Sequence, residues 1–179
     1  MGLLSWLGLK RGDEFPNLSA LTTELRKALP DDESVFIRYV AIVVVLIGRV
    51  ASADGKISRQ EEQSLRELLS HIDRLSPSSV EAICVALRGK APAVTEGELD
   101  LCYRELKSLC DARERVAILR LLAKLAVVDG ESCTEEHAAL ETIAAELGIS
   151  LADLAHVEQE VASQARPRDG GGGDPAAGD

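Results

Sequence analysis

Two acidic residues seven positions apart occur twice in this chain of 179 residues. Asp54 and Glu61 form the first pair, and Asp129 and Glu136 form the second. Each residue of the first pair precedes its counterpart by 75 positions, so the two pairs keep one register. Carboxylate oxygens are the ligands that hard divalent cations such as Ca²⁺, Mg²⁺ and Mn²⁺ prefer. If a pseudo-twofold axis relates the repeats, the four carboxylates form a candidate metal site.

The acidic motif matches only the second half of a calcium-binding EF-hand loop. That loop draws side-chain ligands from its first, third, fifth and twelfth positions, with glycine at the sixth. When Asp54 is counted as the fifth position, the first and third are Val50 and Ser52. In the second copy they are Leu125 and Val127. Apolar side chains offer no ligand, so we expect neither copy to be an EF-hand.

Turn and capping chemistry gives a second interpretation of the same acids. Aspartate before glycine favours a turn, and Glu61 lies three positions after Ser58, the spacing of a capping box. A turn and a helix cap explain each motif taken alone. They do not require both copies of the motif to keep both acidic residues. His137 follows Glu136 and offers a nitrogen ligand, although a single histidine on a helix is more often a surface residue. The sequence leaves both interpretations open.

The folded part of the chain is acidic. The net charge is −10, and the tail after residue 165 contributes little to it, with two basic and three acidic residues. A surface of this sign repels phosphate backbones, so we expect no nucleic-acid partner. It attracts metal cations or basic protein surfaces.

The hydrophobic pattern predicts an all-α fold. Aromatic residues make up 3% of the chain, so leucine, valine, isoleucine and alanine must build the core. Apolar residues at helical spacing predict a compact bundle of about seven to eight helices with an internal pseudo-twofold helix-turn-helix repeat. The β-branched run 40–48 favours a strand by propensity, but its repeat partner 116–128 has helical spacing, so we expect a helix. The run is also too short to span a bilayer, which takes about 20 residues.

Three segments follow from composition. Residues 1–16 are an amphipathic N-terminal segment with Leu3, Leu4, Trp6, Leu7 and Leu9, and residues 17–164 are the helical domain. Residues 165–179 are a Gly-rich tail that we expect to be disordered. The N-terminal segment either docks on the body of the protein or serves a partner or a peripheral contact with a membrane.

Neither the cysteines nor the histidines suggest catalysis. Cys84, Cys102, Cys110 and Cys133 have no zinc-site spacing, and we expect small buried side chains in a reducing, cytoplasmic compartment. The three histidines are scattered, and the chain has no phosphate loop or nucleophile–base motif. We therefore expect a protein that is not an enzyme.

The duplicated motif, each copy preceded by an apolar helix, resembles the TerB-like family associated with tellurite resistance. The resemblance covers most of residues 18–160 and implies an all-α domain of about seven helices with internal pseudo-symmetry. It also implies a role in tellurite and chemical-stress responses, acidic metal-associated surfaces and membrane-proximal protein complexes. The acidic positions of the family correspond to Asp54, Glu61, Asp129 and Glu136. The second copy departs from the first at Cys133, which replaces the capping Ser58.

Residues and resemblance together lead to one expected function and one alternative. We expect a non-enzymatic stress-response domain that binds a divalent cation, a protein partner, or both through the duplicated acidic motif. The alternative is a helical interaction scaffold whose acids are solvated and hold no metal. The two differ in geometry, because only the first requires the four carboxylates to converge.

Overall fold

Eight α-helices make up the part of the chain that the structure describes. The structure, a computed structural model, describes residues 16–30, 32–51, 59–70, 75–87, 94–127 and 134–165. No strand occurs in these ranges, which confirms the all-α prediction. The helices are α1 (Pro16–Ala28), α2 (Ser34–Ala51), α3 (Arg59–Ser70), α4 (Pro77–Leu87), α5 (Glu96–Leu109), α6 (Ala112–Ala126), α7 (Thr134–Leu147) and α8 (Leu151–Ala165).

The β-branched run forms the helix at the centre of the bundle. Residues 40–48 are all buried, and α2 packs against α1, α4, α5, α6 and α7. A helix that is apolar on every side needs neighbours on every side. Tertiary burial therefore outweighs the strand propensity of valine and isoleucine here. The prediction of a helix is confirmed.

Side chains and glycines close to the helix ends set several of the helix boundaries. Thr95 and Asp111 cap α5 and α6, each within a complete capping box. The hydroxyl of Ser150 accepts a hydrogen bond from the backbone N–H of Asp153 at the start of α8. Gly148 follows the last residue of α7 with a φ of 72°, the left-handed conformation that terminates helices.

The two helix pairs that flank the acidic motifs contact one another. Helix α2 packs against α6 and α7, and α3 packs against α6. The described ends of α2 and α6, at Ala51 and Ala126, are 75 residues apart, as are the starts of α3 and α7, at Arg59 and Thr134. The two pairs thus pack together within one bundle. Their superposition, and with it the pseudo-twofold repeat, stays a prediction.

Several predicted features lie outside the described residues. They are the segment 1–15, the tail 166–179 and Cys133. Cys84, Cys102 and Cys110 are buried, as expected. Among the described helices, none combines the length and hydropathy needed to cross a membrane.

Candidate functional site

The four candidate metal ligands are described to different extents. Asp54 and Asp129 lie outside the described residues, and Glu61 belongs to α3 although its side chain is not described. Glu136 lies in the first turn of α7 and is half-buried. The convergence of the four carboxylates therefore stays a prediction.

The residues four positions before each aspartate are part of the core. Val50 is fully buried at the end of α2, and Leu125 is 2% exposed at the end of α6. Val127 is half-buried and packs against the core. An EF-hand would need ligands at these positions. Both copies thus anchor their acidic segment to the core through apolar residues, in agreement with the exclusion of a calcium loop.

Helix α3 is tied to α4 by an arginine one turn after the first motif. Nη2 of Arg66 lies 3.0 Å from Oε2 of Glu81 on α4 and 3.5 Å from Oε1 of Glu62. The guanidinium pKa is raised chiefly by its hydrogen bond to Glu81. Charged side chains in this turn therefore contact the following helix.

The corresponding turn of α7 has a histidine in a similar arrangement. His137 and Glu141 stand 75 positions after Glu62 and Arg66. Nδ1 of His137 lies 2.8 Å from Oε1 of Glu158 on α8, and Nε2 lies 3.5 Å from Oε1 of Glu141. Both ring nitrogens thus face carboxylates, and the side chain joins α7 to α8 at the surface.

No metal centre is formed by the described side chains themselves. Within the ranges given above, no group of three or more histidine, cysteine, aspartate or glutamate residues could hold a metal ion. That result does not test the four-acid hypothesis, because the side chains of Asp54, Glu61 and Asp129 are not described.

A buried carboxylate joins the N-terminal ends of α1 and α5. Glu98 is fully buried and accepts hydrogen bonds from the backbone N–H groups of Asn17, Leu18 and Thr95. Burial alone would raise its pKa, but the bonds from Thr95, Asn17 and Leu18 outweigh burial and lower the pKa to about 2. The capping box with Thr95 is predictable from sequence, whereas the contact with α1 is not.

An apolar groove of about 350 Å³ lies between the start of α2 and the C-terminal half of α5. Its apolar lining comes from Val35, Leu101 and Leu109. Arg104, Ser108 and the ion pair between Arg38 and Glu105 also line it. We call it the α2–α5 groove. Sequence reasoning missed it, although Leu101 and Leu109 stand two helical turns apart on one face of α5.

Comparison with known proteins gives one match. The family model described as "Tellurite resistance protein TerB" matches residues 40–159, which is two-thirds of the chain. The matched region begins inside α2 and ends inside α8, so it includes most of the first helix pair, all of the second and both acidic motifs. No curated protein and no solved structure matches the chain.

Proposed function

Because this chain belongs to the TerB tellurite resistance family, we propose that it acts in tellurite or related stress resistance by binding, without catalysis. The ligand is a divalent cation of the Ca²⁺, Mg²⁺ or Mn²⁺ type, held by Asp54, Glu61, Asp129 and Glu136. Oxygen-only ligand sets suit these hard cations better than they suit zinc. A protein partner recognises the same acidic surface.

The observation that carries the proposal is the reciprocal packing of the two helix pairs. Helix α2 contacts α7, and α6 contacts α3, so each apolar helix packs against the motif helix of the other pair. Tyr39, near the start of α2, has its pKa raised by burial and then by the charges of Cys110 and Glu114, near the start of α6. Charged groups near the start of α6 thus act on a side chain near the start of α2, and the two helices pack together. The acidic segments follow the C-terminal ends of both helices in the sequence, which supports the proposal of one shared acidic face.

The electrostatics of the chain favour cation binding at such a face. Carboxylates held close together repel one another and destabilise the folded state. A net charge of −10 adds to that repulsion. A bound divalent cation relieves it, and the folded state gains the free energy of binding.

Thermal unfolding with and without cations tests the proposal. A saturating cation stabilises the folded state by mass action, about 2.7 kcal/mol at a hundredfold excess over the dissociation constant. We expect Ca²⁺, Mg²⁺ or Mn²⁺ to raise the melting temperature of the wild type. Asp54→Asn combined with Asp129→Asn should abolish that rise while leaving the metal-free protein as stable or more stable.

A charge-matched control separates a specific site from general electrostatics. Asp100→Asn combined with Glu24→Gln removes two charges from exposed positions on α5 and α1, and it should keep the full response to the cation. The proposal of a metal site is wrong if the wild type shows no response, or if both double variants lose it equally.

The second candidate function is a helical interaction scaffold without a metal. It is favoured by the position of Glu135 and Glu136 in the first turn of α7, where negative charge is stabilised by the helix dipole. In that case cations have little effect, and Glu136→Ala costs about 1 kcal/mol or less with or without metal. The same melting curves distinguish the two functions.

A further inference from the structure

We propose that residues 3–9 of this chain dock into the α2–α5 groove, so that the segment preceding α1 covers the groove in the resting protein. This inference is independent of the cation site, since neither the groove nor the segment contains any of the four candidate acids. It identifies an interaction surface and commits to one occupant, a segment of the same chain.

The groove gathers exposed apolar side chains. Among the described residues, four large hydrophobic side chains are exposed: Val35, Val85, Leu109 and Leu151. Two of these, Val35 at 56% and Leu109 at 39%, line the α2–α5 groove together. Scattered exposed apolar residues are ordinary, whereas a pair that lines one concave site indicates a contact surface.

The start of α1 lies within reach of this groove. The backbone N–H of Asn17 donates to Oε1 of Glu98 at 2.9 Å, so α1 begins beside the first turn of α5. Leu101 and Leu109 lie roughly 5 and 16 Å farther along that helix at 1.5 Å per residue. The fifteen residues before Pro16 span about 22 Å as a helix and about 50 Å when extended. A chain of this length can therefore bring residues 3–9 to the groove in either form.

The composition of the segment fits this groove. Its apolar side chains, Leu3, Leu4, Trp6, Leu7 and Leu9, match the apolar lining of the groove. Lys10 and Arg11 lie between these residues and Pro16, and so do Asp13 and Glu14, so the stretch that joins residues 3–9 to α1 carries no net charge. The match between the segment and the groove is therefore an apolar one.

Covalent attachment favours this segment over any separate molecule. A short tether gives the docking segment an effective concentration of the order of millimolar. A second copy or another protein must reach a comparable concentration in solution to compete. A weak apolar contact is therefore occupied by the segment of its own chain first.

The only tryptophan of the chain makes the proposal directly testable. Trp6 is the single Trp, so the fluorescence of the full-length protein reports on this segment alone. We expect blue-shifted emission and weak quenching by acrylamide, compared with a free peptide of residues 1–12. Val35→Asp and Leu109→Asp should each move both signals towards those of the peptide. A charge facing an apolar contact is costly, and we expect the ratio of docked to undocked segment to fall about tenfold or more.

Two matched variants control for the added charge. Val85→Asp and Leu151→Asp alter the other two exposed apolar residues, which lie on α4 and α8 and do not line the groove. They should leave Trp6 fluorescence unchanged. Circular dichroism checks that all four variants keep their helices, which is expected because each position is exposed.

Each alternative occupant gives its own result, and each would overturn the proposal. If Trp6 is as exposed in the full chain as it is in the peptide, the segment does not cover the groove. Loss of the blue shift on dilution, with a doubled mass in sedimentation, means that the segment enters the groove of a second copy. Burial of Trp6 only after addition of phosphatidylglycerol–phosphatidylethanolamine vesicles means that the segment serves a membrane surface. A groove variant that behaves like the controls also contradicts the proposal.

Discussion

The carboxylate of Glu98 accepts a hydrogen bond from the backbone N–H of Asn17, 81 residues earlier in the chain. The same carboxylate completes the capping box of α5 with Thr95. The N-terminal ends of two helices, each with a positive dipole, thus share one negative charge. This contact fixes where α1 begins on the bundle.

Glu98 should make the stability of the protein depend on pH in the acidic range. Its pKa in the folded state is about 2, below the ordinary value of 4.5. A carboxylate whose pKa is lowered in the folded state stabilises that state at pH values above its ordinary pKa. This stabilisation is lost as the pH falls from about 4.5 to about 2. We expect Glu98→Gln to cost about 3 kcal/mol at neutral pH and progressively less through that window. Urea denaturation at a series of pH values measures the difference.

The matched control for this prediction is Glu96→Gln. Glu96 lies in the same turn of α5, but its side chain is exposed. An exposed substitution of this kind changes stability by about 0.5 kcal/mol or less. Equal effects of the two substitutions would show that the buried contact with α1 is not what stabilises the protein.

The buried cysteines should resist alkylation in the native state. Burial raises the pKa of Cys102 to about 12, with a smaller contribution from the charge of Glu98. Burial also raises the pKa of Cys110 to about 11, with a smaller contribution from the charge of Glu114. Only the thiolate reacts. Raising the pKa of Cys102 from 9.0 to about 12 therefore lowers its thiolate fraction roughly a thousandfold. Iodoacetamide labelling followed by mass spectrometry should modify Cys102 after denaturation and hardly before it. Rapid labelling of native Cys102 would contradict the packing around α5.

Shortening a core side chain on α2 should be costly. Leu46 is fully buried, and Leu46→Ala should lower the free energy of unfolding by about 2–5 kcal/mol, because it removes apolar contacts and leaves a cavity. Leu151→Ala is the control, since Leu151 is 63% exposed. Thermal or urea denaturation distinguishes them, and a comparable loss in both variants would mean that α2 is not the centre of the core.

Two glycines should respond in opposite directions to alanine substitution. Gly148 has a φ of 72°, and a Cβ there would meet no atom within 4 Å, so Gly148→Ala tests backbone conformation alone. It should cost about 1–2 kcal/mol, the penalty of a left-handed conformation. Gly97 lies inside α5, also with open space around a Cβ. Gly97→Ala should be neutral or stabilise the protein by up to about 1 kcal/mol. Two changes of the same sign in denaturation experiments would refute the interpretation.

Local features of this protein were predictable from the sequence because neighbouring residues determine them. The capping boxes at Thr95 and Asp111 and the glycine stop at Gly148 depend on side chains within a few positions of a helix end. Burial of the apolar positions follows from helical periodicity. The duplicated acidic motif likewise predicted the family that the comparison found.

Contacts between residues far apart in the chain were decided by the tertiary structure. Nothing near Glu98 indicates that it also caps α1, because its second set of donors lies about 80 residues away. The α2–α5 groove exists only because Val35 and Leu109 come together from two helices, and neither residue alone differs from any exposed apolar side chain. Periodicity predicts which face of a helix is buried, whereas the partner of that face depends on how all the helices pack together.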